Sequence, residues 1–481
     1  MSHPVHSPGA PARHPHAPPE PGRRRWAALA VLSVAQFMLV VDVTVVNVAL
    51  PGIGAGLHLG RETLTWVVTA YTLVFGGLML LGGRLADAFG ARRTLPAGVV
   101  VFTLASLVTG LAGDGAMLLG GRVAQGVGAA LLSPAALSII TTTFHGAERN
   151  KALGVWAALG GTGSAAGVLL GGALTAGPGW KWVFFVNVPV GLAVLVALPL
   201  VVKGSPGPAV PRRIDVPGAL LVTGGTAALI YGLVKAGDSG WSGTATLVAL
   251  AAAATLYAGF AIVERTVRSP LMDLRLLGRR PVLAGAFLML VATALLIGTF
   301  FLGSLYLQHV RHYSALRTGL MFLPVALGTG VGAHLAGRLI GRRGARPIAS
   351  AGLVSAAIGF GLLAGLDSHS DPYTALLPGF VLVSIGVGAV FVAATTTALG
   401  FVEHREAGLA SGLISTFHEV GGSVGVAVVS TVAAAGLRTG TVTGFGSAFT
   451  VAAVTAAAAA VVALAVAPAG RPRLPAGPFV H

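Results

Sequence analysis

Three ionisable side chains stand where the surrounding residues are almost all apolar: Asp42 in AQFMLVVDVTVVNVALP, Arg122 in MLLGGRVAQGVGAALL, and Glu419, beside His418, in LISTFHEVGGSVGVAVV. If these runs cross a membrane as helices, a charge near the centre costs roughly 2.5 to 3.5 kcal/mol and by default marks function. A carboxyl group held there can take a proton from one side and lose it to the other, or trade it for a cation. Asp42 falls about eight residues from one end of its run and Arg122 about seven from the corresponding end of its own, so both lie about 10 Å deep at the helical rise. An ion pair or water-bridged contact between them is open at that depth, and it would keep Asp42 ionised until a proton or substrate competes. Structural roles are open as well. Asp42 can be capped by Thr44, Asn47 or a neighbouring helix, and Arg122 can tie its helix to others through Gln125 or backbone carbonyls. His418 and Glu419 point about 100° apart on one helix, so at most one faces straight into a cavity. Glu419 is a candidate second proton or cation site, or else a static partner of groups near His418 or of His334.

The elements that must position these groups are long and apolar. Of 481 residues 54% are hydrophobic and 10% charged, with a mean hydropathy of +0.84, a composition that fits lipid as the solvent and not a soluble domain. About fourteen runs, from 27–50 to 445–467, are each long enough to cross about 30 Å of hydrocarbon. Lys and Arg concentrate on the segments that lie inside when the N-terminus is cytoplasmic, which predicts both termini in the cytoplasm. The net charge of +16 then needs only anionic membrane lipids as counter-charge, and no nucleic acid. With no cysteine, disulfides and thiolate chemistry are excluded.

GRLADAFGAR, Gly83 to Arg92, returns as GRLIGRRGAR, Gly337 to Arg346, with six of ten positions identical. Each copy sits in a short basic turn between two apolar runs, so the chain contains two related halves, the pattern of a transporter built from fused bundles. The expected fold is an all-α integral membrane protein of two six-helix bundles plus two extra transmembrane helices. The predicted organisation is a disordered cytoplasmic tail over 1–25, a first bundle over 26–202, and a linker, two extra helices and a basic loop over 203–280. A second bundle over 281–467 and a cytoplasmic tail over 468–481 complete it. His3, His6, His14 and His16 fall in the first tail and receive no function; Leu271, Met272, Leu274, Leu276 and Leu277 in the basic loop are expected on the membrane surface. GDSG at Gly237–Gly240 and the glycine-rich GTGSAAG lack the partners of a protease or nucleotide site, so neither catalysis, a metal nor a cofactor is expected.

Several segments together resemble the major facilitator superfamily, specifically its fourteen-helix drug:proton antiporter-2 type. They are DVTVVNVALP (Asp42–Pro51), GGRLADAFGARR (Gly82–Arg93), GRVAQGVGAA (Gly121–Ala130), WKWVFFVNVPVG (Trp180–Gly191) and QHVRHYSALRTGLMFLP (Gln308–Pro324). The resemblance implies export of lipophilic drugs, antibiotics or dyes in exchange for protons across a bacterial cytoplasmic membrane, by a protein that is not an enzyme and is expected to work as a monomer. It implies proton coupling at Asp42 with Arg122, with Glu419 in reserve, and a conformational latch at Gly83, Asp87, Gly90 and Arg92. GGTGSAAGVLLGG (Gly160–Gly172) is similar to the antiporter signature of a gating helix. Gly163, Gly167, Gly171 and Gly172 are in place, but Val168 stands where that signature has proline. That departure leaves open a dedicated exporter of one endogenous metabolite or lipid, or an uncoupled facilitator. A membrane scaffold without transport would have no use for Asp42 and Arg122.

Overall fold

In lipid a backbone N–H or C=O without a partner is costly, so apolar runs of this length fold as helices that satisfy themselves internally. The computed structural model describes residues 22–144, 146–202, 215–267, 270–271, 275, 278–366, 371–400, 407–434 and 443–469, and no strand occurs among them. The first half comprises α1 (Gly22–Leu57), α2 (Arg61–Phe89), α3 (Ala91–Gly110), α4 (Gly115–Thr143), α5 (Gly146–Ala176) and α6, in two pieces (Trp182–Phe185 and Asn187–Val201). A hairpin of α7 (Val216–Ser239) and α8 (Thr244–Thr266) follows. The second half comprises α9 (Arg280–Leu305), α10 (Ala315–Arg343), α11 (Ala345–Ala364), α12 (Leu377–Leu399), α13 (Ala407–Val432) and α14 (Thr443–Val466). Thirteen spans among the described residues are long and apolar enough to cross a membrane, and α5 carries a shorter apolar stretch, Thr162–Ala176. The N-terminal histidines, the segment after Val202, Met272, Leu274, Leu276, Leu277 and the C-terminal tail from residue 470 lie outside the described residues.

The two halves repeat one packing scheme. In the first, α1 packs on α5, α4 on α2 and α3, and α6 on α1 and α3; in the second, α9 packs on α13, α12 on α10 and α11, and α14 on α9 and α11. The halves meet in two seams that the repeat relates to each other, α5 against α10 and α13 against α2. Small residues allow the close approach, as they do where helices associate without a hydrophobic drive. A Cβ on Gly98 of α3 would meet the backbone of Gly128 and Leu132 in α4, and one on its repeat partner Gly352 in α11 would meet the Gly386 carbonyl in α12. The repeated turn is also conserved in conformation between the halves: Gly90 at φ +89° and Gly344 at φ +84° both occupy the left-handed region that side chains rarely adopt.

Two local departures from the sequence reading have clear causes. The sixth span breaks at Val186 because Pro189 has no N–H to give the Phe185 carbonyl. Leu271 is buried at 1% exposure and not spread on the membrane surface, because Arg84 at the end of α2 donates to the Pro270 carbonyl at 2.6 Å and draws that loop onto the helix.

The glycine contacts are testable. A Cβ on Gly128 would sit within 2.8 Å of the Phe102 backbone, so Gly128→Val forces α3 and α4 apart at a cost of about 1 to 3 kcal/mol. Gly120→Ala meets nothing within 4 Å. Thermal unfolding in detergent is expected to fall by several degrees for the first and to stay unchanged for the second.

Candidate functional site

Asp42 and Arg122 are among the most deeply buried side chains, at 0% and 1% exposure. They form an ion pair, Arg122 Nη1 to Asp42 Oδ2 at 2.5 Å, between α1 and α4. The second carboxylate oxygen accepts from Gln125 Nε2 at 3.1 Å and from Asn187 Nδ2 at 2.9 Å. Gln125 is three residues from Arg122, on the same face of α4; its Oε1 accepts from Arg122 Nη1 at 3.0 Å and its Nε2 donates to Ser106 Oγ on α3 at 2.8 Å. Asn187 starts the second piece of α6, so the break before Pro189 carries an amide into the interior. Arg122 Nε donates to the Val67 carbonyl of α2 at 2.9 Å, and its guanidinium lies 4.4 Å from the centroid of the Tyr71 ring. Five helices of the first bundle thus converge on one charge pair in which Arg122 Nε and Nη1 and both Asp42 oxygens are hydrogen-bonded. A buried pair is tolerable only when such extra hydrogen bonds satisfy it.

This geometry chooses among the alternatives left by the sequence. Thr44 Oγ1 bonds the Val41 carbonyl at 3.2 Å and Asn47 Nδ2 the Val43 carbonyl at 2.7 Å, so both turn back on α1 and neither caps Asp42. Asn187, Ser106, Val67 and Tyr71 received no role from the sequence; the one available signal was an asparagine just ahead of a proline inside an apolar run. The Tyr71 hydroxyl is buried with no hydrogen-bond partner among the described residues.

Glu419 is not part of the cluster. It is half-buried on α13 with its Cβ against Gly76 of α2, on the seam between the halves. His418 points elsewhere: its Nδ1 is 3.0 Å from Thr293 Oγ1 of α9, and its ring is 5.5 Å from that of Phe391 on α12. His334 is exposed on α10, and no hydrogen bond between it and Glu419 occurs among the described residues.

The glycines of α5 form a rail against α1. Gly163 faces Val40 and Phe37, Gly167 faces Thr44 and the Val41 carbonyl, and Gly171 faces Val45 and Val48. Gly172 turns to the other half and meets Ala315 and Leu316 of α10, where Gly319 in turn meets the Val168 carbonyl. Val168 itself is fully buried in a helix without proline. At the repeated turn, α2 continues through Gly83, near Pro134, as far as Phe89 before Gly90 ends it. Arg92 Nη1 is buried without a hydrogen-bond partner among the described residues, and the side chain of Asp87 lies outside them.

Two repeated helical bundles with a satisfied charge pair at membrane depth are the architecture of a secondary transporter. A sequence profile described as Major Facilitator Superfamily matches residues 32–426 and 326–479. The puromycin resistance protein pur8 of Streptomyces alboniger is 39% identical over 419 residues, which cover 86% of this chain and 82% of that protein. The lincomycin resistance protein of Streptomyces lincolnensis is 37% identical, over 85% of each chain. In the crystal structure of the POT family transporter PepTSo the same fold recurs with a TM-score of 0.66 at 17% identity, covering 93% of this chain and 98% of that one. The chain belongs to the Major Facilitator Superfamily and is a multi-pass membrane protein.

Removing one partner of a buried pair strands the other, at about 3 to 5 kcal/mol, whereas removing both charges with shape kept costs far less. Arg122→Leu is therefore expected to lower the unfolding temperature in detergent more than the double change Asp42→Asn with Arg122→Gln. Thermal melts of the purified variants check this, and equal losses would contradict it.

Proposed function

We propose that this chain is a proton-coupled exporter of lipophilic drugs, antibiotics or dyes in a bacterial cytoplasmic membrane, of the fourteen-helix antiporter type, alternating between two access states. The observation that carries this reading is the buried Asp42–Arg122 pair. A proton on Asp42 cancels its charge and leaves Arg122 a buried cation beside Gln125, the Val67 carbonyl and the rings of Tyr71 and Phe184. The packing of α1 against α4 must then change, because an uncompensated buried charge is not stable. α1 is placed to pass that change on: it lies on the α5 glycine rail, and its Val48 carbonyl accepts from Gln308 Nε2 of the second half at 2.9 Å.

The positive-inside rule puts the end carrying the Gly90 and Gly344 turns in the cytoplasm, together with both termini. The contacts of Gly172 with Ala315 and Gln308 with Val48 then lie at the external side, which supports an inward-open state with lipophilic substrate reaching the space between the bundles. Glu419, on the seam, is the reserve site for a proton or cation. Gly83, Asp87, Gly90 and Arg92 are assigned to a latch that favours one access state, and the α5 glycines to gating. Protons, anionic lipids and one small-molecule substrate are the partners, and the working unit is a monomer.

A narrower reading has an observation in its favour as well: relatives at this level of identity are named for single antibiotics, puromycin and lincomycin, which fits a dedicated exporter. Dye efflux from pump-deficient cells, with and without a protonophore, tests the proposal. Wild-type efflux is expected to collapse with the protonophore, and a well-expressed Asp42→Asn to be inactive. Equal efflux by both proteins, unaffected by the protonophore, would refute the coupling. Activity confined to one compound among many would favour the dedicated exporter.

A further inference from the structure

His418 is a polar side chain in the second half that the coupling scheme above does not use. It shares a face of α13 with Gly421 and Gly425, which pack on Leu290 and Ala294 of α9. Its Nδ1 is 3.0 Å from Thr293 Oγ1, and Thr293 Oγ1 is in turn 3.0 Å from the Met289 carbonyl. A carbonyl only accepts and a hydroxyl has one proton, so the Thr293 proton belongs to the Met289 contact. His418 then makes its own contact by donating from Nδ1 to Thr293. This is the assignment that satisfies every donor of the pair, and it leaves Nε2 of the neutral ring a bare acceptor.

Nε2 makes no hydrogen bond among the described residues and is not one of the enclosed polar atoms, so the half-buried ring presents an acceptor to open space. Half-buried Leu290 of α9 and Phe391 of α12 flank it, the Phe391 ring 5.5 Å away. His418, Thr293 and Phe391 all lie near the middle of their helices, at the depth where secondary transporters hold their substrates. The first half has no such feature. The duplication pairs Gly425 on Ala294 with Gly163 on Val40, so Trp156 stands where His418 does and Leu39 where Thr293 does. Trp156 packs on the core cluster that includes Leu39, so the architecture closes this place without a polar group. The histidine and threonine of the second half are not a demand of the fold.

We propose that His418 recognises substrate: its Nε2 accepts a hydrogen bond from a hydroxyl or N–H group of the exported compound, whose apolar body lies on Leu290 and Phe391. Thr293 is the positioning residue that fixes the ring and its tautomer. This deepens the export reading above and rests on it. The substrate class is then a lipophilic molecule carrying at least one neutral hydrogen-bond donor. The same molecule without the donor is disfavoured, because it leaves the acceptor unpaired after water has been displaced.

N-phenylnaphthylamine and its N-methyl derivative are lipophilic fluorescent probes that differ by one N–H. Neither is protonated at neutral pH, so the carboxylate of Glu419 does not tell them apart. In pump-deficient cells, His418→Phe is expected to slow efflux of the first about fivefold, the worth of one hydrogen bond, and to leave the second within about twofold. Thr293→Val is expected to lose the same discrimination and Thr293→Ser to keep it, a comparison that carries the test alone if His418→Phe folds poorly. Equal change for both probes in His418→Phe, or discrimination that survives both His418→Phe and Thr293→Val, would overturn the proposal. If the unmodified chain moves neither probe, the export reading fails, and fluorescence titration of the purified protein decides the site by itself. A preference for the N–H compound that His418→Phe abolishes upholds it, and equal affinity for the two probes overturns it.

Discussion

The structure depends on burying one carboxylate against one guanidinium, Asp42 against Arg122. Desolvating such a pair costs several kcal/mol per ion, and mutual attraction offsets this only when the remaining donors and acceptors are met. The first bundle is arranged around that requirement. α6 breaks so that Asn187 can reach Asp42, α3 supplies Ser106 to hold Gln125, and α2 supplies a backbone carbonyl and an aromatic face to Arg122. Nothing comparable occupies the second bundle among the described residues, where α9, α10 and α12 meet through Phe300, Phe322 and Phe380. The first half holds the ion pair, and the second is packed mainly through aromatic rings.

The proposed protonation of Asp42 would be passed on because α1, which carries it, is held by surfaces that tolerate little displacement: three glycines of α5 at four-residue spacing lie against it, and Gln308 binds its backbone from the second half. α5 in turn touches α10 at Gly172 and Gly319. Close backbone packing of this kind moves as a unit and does not deform gradually. Asp42 on α1 and the α5–α10 seam are therefore linked by two helices, while the α2–α13 seam is joined by hydroxyl pairs and lined by α7.

Much of this is legible in the residues, and the reasons for the rest are specific. The apolar runs and the repeated GRL…GAR turn disclose the spans and the duplication, because lipid leaves helices no alternative and only glycine suits the turn at Gly90 and Gly344. The similar depth of Asp42 and Arg122 could be counted along their helices. Their direction could not. α1 and α4 are apolar all round, so periodicity gives no face, and only packing shows that Asp42 points into its own bundle and not into the central space. Asn187 and Ser106 stayed hidden because a single polar residue in a membrane helix acquires meaning from what lies opposite. Leu271 misled for a related reason, since a leucine in a basic loop suits a membrane surface equally well until Arg84 is seen to hold that loop.

Whether the charge pair is the seat of coupling is most directly tested by proton release. Purified protein in weakly buffered detergent solution would be mixed with a transported lipophilic compound while the pH is followed. Binding of substrate to wild-type protein carrying a proton on Asp42 should release protons, and the same substrate bound to Asp42→Asn should release none. Equal release from both proteins would place the exchangeable proton elsewhere and contradict the central role given to this pair.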